Sequence, residues 1–151
     1  MPEKETLERA QEDARQDKSP STQAGEFVRE EMHHIREGKH GAASPQQAIA
    51  IGLSKARRAG VPLQAPRRGR TSASTRKKAE RDFEKGQSHR PRKPSSRRSS
   101  ATSQALKKKG SSAASHGALS GQARRSARAR GPASRHNAAM KASRTRSRRN
   151  K

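Results

Sequence analysis

The chain has 151 residues, of which 26% are hydrophobic, with two Phe, no Trp, Tyr or Cys, and a formal net charge of +24. Without Cys there is no disulfide framework and no thiol chemistry. No apolar run approaches the roughly 18 residues of a membrane span, and ordering costs about 1–2 kcal/mol per residue, which so few large apolar groups cannot offset along the whole length. The charge is uneven. Residues 1–37 hold ten acids against six Lys/Arg, whereas the 67 residues after Glu84 hold 20 Lys/Arg and no acid. A mildly acidic head with a long polycationic tail calls for a polyanion, of which nucleic acid fits best; an anionic membrane fits less well, because no basic segment carries a bulky apolar face.

Residues 1–18 read as a charged N-terminal arm and a marginal helix. Leu7, Ala10 and Ala14 make one weak stripe, and Lys4/Glu8 and Glu5/Arg9 are i,i+4 pairs, worth a few tenths of a kcal/mol each. The arm is a docking element or a solvated polar helix, ended by Lys18-Ser19-Pro20-Ser21. Its acidic start has no apolar stretch of a secretory signal.

Residues 22–37 predict a helix whose apolar arc is Ala24, Phe27, Val28, Met32 and Ile35, with Arg29, Glu30, His33, Arg36 and Glu37 opposite. Gly38 stops it. Residues 45–59 predict the best-marked helix of the chain. Ser44 is the N-cap, Pro45 occupies the first helical position, and Gln47 completes a capping-box spacing. Ile49, Gly52, Leu53 and Ala56 share a face, Lys55, Arg57 and Arg58 favour the C-terminal end of the macrodipole, and Gly60 with Pro62 ends the helix. The two helices form a hairpin over 22–63, in which Phe27, Val28 and Ile35 pack on Ile49, Leu53 and Ala56, closed by Val61 and Leu63. Ile51 points away, either simply exposed or marking a partner surface. So small a core predicts help from outside, either coupled folding on a partner or a homodimer through Phe27, Val28, Ile35, Ile49 and Leu53.

Residues 64–73 form a basic Pro/Gly linker. Its Arg68-Gly69-Arg70 core resembles an AT-hook, in which extended backbone and Arg enter a narrow minor groove, although Thr71 stands where a Pro is usual and a generic basic linker is the favoured reading. Residues 74–86 predict a short helix capped by Ser74, paired at Arg76/Glu80 and Lys78/Asp82 and stopped by Gly86. With Phe83 its only large apolar residue, it is either a solvated spacer or an element that orders on binding. Residues 87–151 read as a disordered polycationic tail carrying weak helices that strengthen on phosphate. Within it, 89–94 is Pro-rich and extended, and Leu119-Ser120 with Ala123-Arg124-Arg125 echoes Leu53-Ser54 with Ala56-Arg57-Arg58.

No catalytic constellation emerges, so the chain reads as no enzyme and as needing no cofactor. Glu30-x-x-His33 has the carboxylate–histidine spacing of di-iron bundles, and His33, His34 and His40 cluster with Glu30, Glu31 and Glu37. A single such cluster lacks the other half of that ligand set, so the histidines read as solvated and no metal is expected. There is no phosphate-binding loop and no aromatic platform for base stacking.

Residues 25–60 resemble a family of small basic bacterial proteins of unknown function, through Met32-His33, Gly38-Lys39, Gln47 to Ile51, Leu53-Ser54, Ala56-Arg57 and Ala59-Gly60. That family carries Lys/Arg/Ala-rich tails and is at best described as DNA-binding. The resemblance implies a bacterial, intracellular protein and transfers no catalytic residue. The fold class expected is therefore all-α and small, a helical hairpin with a long, largely disordered basic tail, in a cytoplasmic, nucleoid-associated protein. The function expected is sequence-tolerant nucleic-acid binding, with DNA favoured over RNA, through Lys55, Arg57, Arg58, Arg67, Arg68, Arg70, Arg90, Arg92, Lys93, Arg97, Arg98, Lys107, Lys108, Lys109, Arg124, Arg125, Arg128, Arg130, Arg144, Arg146, Arg148 and Arg149. The alternative is a ribosome- or stress-associated adaptor that uses the hairpin for a protein partner and the tail as an RNA tether.

Overall fold

In the computed structural model the structure describes residues 1–88 and 95–149. Among them the chain is all-helical: α1 (Lys4–Arg15), α2 (Pro20–Arg36), α3 (Pro45–Arg58), α4 (Ala73–Gln87), α5 (Ser96–Lys107), a 3-10 turn at Ser112–Ala114, and α6 (His116–Arg149). Residues 1–115 form one compact unit and the segment from His116 onward a second.

The first unit is built on the α2–α3 pair. Pro20 begins α2 behind Ser19, so the Ser-Pro pair that reads as the end of the arm is the start of the next helix, with Pro at the position where a missing N–H costs nothing. In α3 the Ser44 hydroxyl accepts from the Gln47 N–H at 3.2 Å, and the Gln47 side chain accepts from the Ala43 N–H at 2.7 Å. The reciprocal cap therefore closes one residue earlier than a standard capping box. Gly52 lets the helices approach closely: a Cβ there would lie 2.7 Å from Val28 Cα and 3.0 Å from the Phe27 carbonyl oxygen.

The core holds Ala10, Ala24, Phe27, Ala56 and Val61, with Leu7, Leu53 and Leu63 packed around it. Phe27 and Ile35 are 0% exposed within a single chain. Two of the five residues of the expected dimer surface are thus taken up by intramolecular packing, while Val28, Ile49 and Leu53 are half-buried. Ile51 is also half-buried rather than free. The cover comes from two elements that read as solvated. α1 packs on α2, burying Thr6 and Ala10, and Arg9 reaches across to Glu26 at 2.7 Å. α4 packs on α3. It starts at Ser72, whose hydroxyl accepts from the Thr75 N–H at 3.2 Å, rather than at Ser74, and it buries Ala79 and Asp82. Gly86 permits the contact, because a Cβ there would collide with the Arg57 carbonyl.

The expected disordered tail is overturned. α5 and α6 are helices, and α6 alone spans 34 residues. Ala, Arg and Gln are good helix formers, and their propensity carries α6 in spite of its charge. α6 is interrupted at Gly131 (φ 76°, ψ 169°), immediately before Pro132, whose ring cannot follow a helical residue without a clash. α5 buries no residue, but the chain at its end is tied to the hairpin loop. The Gly41 N–H donates to the Leu106 carbonyl at 3.0 Å and the Ala42 N–H to the Gly110 carbonyl at 3.3 Å. Ala113 and Ala114 are buried beyond it, and Arg36 donates to the Ala114 carbonyl at 3.0 Å. The expected extended stretch 89–94 lies outside the described residues.

Candidate nucleic-acid interface

The basic residues divide into those that the fold uses and those that it leaves to solvent. Three of the expected phosphate-binding residues, all on α3, belong to the first group. Arg57 is 6% exposed. Its Nε donates to the Leu63 carbonyl at 3.0 Å and its Nη2 to the Gln64 carbonyl at 3.3 Å, so it staples the chain that leaves α3. Burial pushes its pKa down, against a smaller opposing pull from Asp82. Arg58 donates to Asp82 on α4 at 2.7 Å, and the Ser54 hydroxyl bonds the same carboxylate. Lys55 lies 3.3 Å from Glu30 and 2.8 Å from Glu31. Arg57 is therefore turned into the fold and Lys55 is held by two carboxylates, whereas Arg58 pairs with Asp82 while its side chain stays 59% exposed.

The second group is exposed. Arg67, Arg68 and Arg70 face solvent, but not on extended backbone: the Arg70 N–H donates to the Arg67 carbonyl at 3.1 Å, and Gly69 has φ +83°. This is a β-turn, with Gly supplying the positive φ at its third position, so the hook-like extended conformation is absent. Arg97, Arg98, Lys107, Lys108 and Lys109 are exposed on and just beyond α5. On α6, Arg124, Arg125, Arg128, Arg130, Arg144, Arg146 and Arg148 are exposed, and Arg149 is the last helical residue. Arg90, Arg92 and Lys93 lie outside the described residues. The α6 sequence contains no acid, so none of its cations has a carboxylate on its own helix.

Part of the Glu/His cluster expected to be solvated is instead a buried charge centre. Glu30 and Glu31 are 3% and 0% exposed. Burial opposes the charged form of Glu30, but the Glu3 N–H at 3.1 Å, the Thr6 hydroxyl and Lys55 outweigh it, and its pKa falls below the ordinary value. Glu31 Oε2 lies 2.8 Å from the Lys55 ammonium, and its Oε1 lies 3.2 Å from His40 Nε2. Neither oxygen makes a hydrogen bond of good geometry. His34 and His40 meet edge to face with ring centroids 6.2 Å apart, and ligand atoms of Glu31, His34 and His40 all lie within 4.8 Å of one another. The Glu30–His33 pair suggested by sequence spacing is not assembled, because Glu30 points inward and His33 is exposed. The signal for Glu31 was present: Phe27, Glu31 and Ile35 are spaced i, i+4, i+8 and share one face of α2.

No helix among the described residues is long and apolar enough to cross a membrane. No protein-family model, curated protein or solved structure matches the chain.

Proposed function

We propose that the protein binds nucleic acid with little sequence preference, chiefly through α6. The observation that carries this reading is the helical segment α6, broken at Gly131, studded with exposed Arg and free of acids, which offers phosphates two cationic helical stretches. At about 1.5 Å per residue the helix extends far enough on either side of its Gly131 break to follow several phosphates. Arg suits the role because its planar fork binds a phosphate bidentately. The exposed Arg67, Arg68 and Arg70 turn and the α5 cations supply further contacts. No aromatic side chain of α6 offers a base-stacking platform, and affinity comes from the phosphate backbone and from counterion release. DNA and RNA both satisfy this chemistry. Duplex DNA is the ligand we put first.

The test is a fluorescence-anisotropy titration of the full chain on random-sequence duplex DNA and on structured RNA at several salt concentrations. With six to ten phosphate contacts, affinity falls about 10³–10⁵-fold between 50 and 200 mM salt. A shallow salt dependence, or weak binding to both polymers near physiological salt, contradicts the proposal.

A further inference from the structure

The geometry points to a transition-metal site formed by Glu31, His34 and His40, of the His₂–carboxylate type that suits Zn²⁺. Three observations converge on it. The first is the set of ligand atoms itself, gathered from α2 and the loop that follows within 4.8 Å. Tetrahedral ligands at about 2.0–2.1 Å from zinc stand about 3.3 Å apart. His40 Nε2 and Glu31 Oε1 are already at 3.2 Å, and a ring nitrogen of His34 lies within 4.8 Å of both ligand atoms.

The second observation is that both rings have one nitrogen held by an acceptor outside the cluster. His40 Nδ1 lies 3.2 Å from the Gly41 carbonyl oxygen, which can only accept, so Nδ1 carries the proton. In the neutral ring this leaves the Nε2 lone pair facing Glu31. His34 Nε2 lies 2.8 Å from Glu3 Oε1, which leaves Nδ1, 3.9 Å from Glu30 Oε1, as the nitrogen free to bind. Such outer partners, a carbonyl for one histidine and a carboxylate for the other, fix tautomer and orientation in metal centres. A lone pair aimed at a buried carboxylate is repulsive unless a cation lies between them.

The third observation is a shortage of positive charge. Glu30 and Glu31 are both buried and share one ammonium, Lys55, while both Glu31 oxygens lack a well-formed hydrogen bond. A buried carboxylate left in that state costs several kcal/mol, and a divalent cation on Oε1 removes the cost while Lys55 keeps Oε2. Two imidazoles and one carboxylate select a borderline ion such as Zn²⁺ over the hard Mg²⁺ and Ca²⁺. Three protein ligands leave the fourth position to water.

The competing account is that a proton on His40 supplies the missing charge. The experiment is a titration of the full chain with Co²⁺, followed by its visible d–d absorption, and with Zn²⁺ by calorimetry and by displacement of Co²⁺. The expected result is one ion per chain, a Co²⁺ spectrum of low-symmetry N/O ligation, no response to Mg²⁺, and a rise in melting temperature with Zn²⁺. His40→Ala and Glu31→Gln should each lose at least about 100-fold in affinity, more than the 10–100-fold expected for Glu3→Ala, which removes only an orienting partner. His33→Ala, at an exposed neighbouring histidine, should bind as the parent does. Circular dichroism establishes that each variant is folded; should Glu31→Gln unfold, His40→Ala decides alone. Equal weak binding by the parent, His40→Ala and His33→Ala overturns the site and leaves His40–Glu31 as an imidazolium–carboxylate pair.

Discussion

Replacing either of two glycines by alanine should change stability in opposite directions, because one lies between helices and the other faces water. Gly25 is inside α2, and a Cβ there meets nothing within 4 Å. Gly25→Ala therefore gains only the helix propensity of alanine, about 0.5–1 kcal/mol. Gly52 is inside α3, where the same Cβ would be 2.7 Å from Val28 Cα and 3.0 Å from the Phe27 carbonyl oxygen. Both are backbone atoms and cannot swing aside, so α2 and α3 must separate. Overpacking of this kind costs about 1–3 kcal/mol, and set against a propensity gain of about 0.5–1 kcal/mol it leaves Gly52→Ala destabilised by up to about 2.5 kcal/mol. Urea unfolding followed by circular dichroism at 222 nm reads both, and in a melt each kcal/mol moves the midpoint by about 4–8 °C for a unit of this size. If both variants are stabilised alike, α2 and α3 do not approach at Gly52 and the packing described for the hairpin is wrong.

Phe27→Ala removes the largest fully buried side chain and should cost about 3–5 kcal/mol, while the parent's melting temperature should not vary with protein concentration, because the core closes within one chain; a concentration-dependent melt would restore the dimer. Arg57→Met should destabilise by about 1–3 kcal/mol through the loss of the Leu63 and Gln64 carbonyl bonds, yet leave DNA affinity unchanged under conditions where the variant is folded, and a loss of affinity there would return Arg57 to the interface. Glu30 has a folded pKa below its ordinary 4.5. Its stabilising contribution is therefore complete above about pH 4.5 and is lost as pH falls through the lowered value. Glu30→Gln should flatten that part of the acid unfolding profile, and an unchanged profile would refute the assignment.

The hairpin helices are written in local chemistry. Ser44, Pro45, Gln47 and Gly60 mark α3 by caps and turn residues that act within a few positions. Phe27 and Ile35 mark the inner face of α2 by their spacing. What fails is burial that depends on distant partners. Arg57 reads as a surface cation because nothing near it in sequence shows that the carbonyls of Leu63 and Gln64 will fold back over it. Glu31 stands in the apolar stripe of α2, but a carboxylate is read as solvated until Lys55 and His40 are seen to meet it. α1 and α4 contribute small or polar contacts, Thr6, Ala10, Ala79 and Asp82, which carry little hydropathy signal although they close the core. The tail misled by composition: few apolar groups mean no core, but they do not mean no helix, and the Ala/Arg-rich run of α6 has the propensity for one. The ties from Gly41 and Ala42 to the Leu106 and Gly110 carbonyls join residues more than 60 positions apart and have no local signature.

The central claim, that α6 rather than α3 supplies the phosphate contacts, is tested most directly by the salt dependence of duplex binding in a variant with Arg124, Arg125, Arg128 and Arg130 changed to Gln. Each phosphate contact adds about 0.9 to the slope of log affinity against log salt. The slope should fall by about 3.6 when these four contacts are lost, with the helical circular dichroism retained. A slope equal to that of the parent would contradict it and place the phosphate contacts elsewhere in the chain.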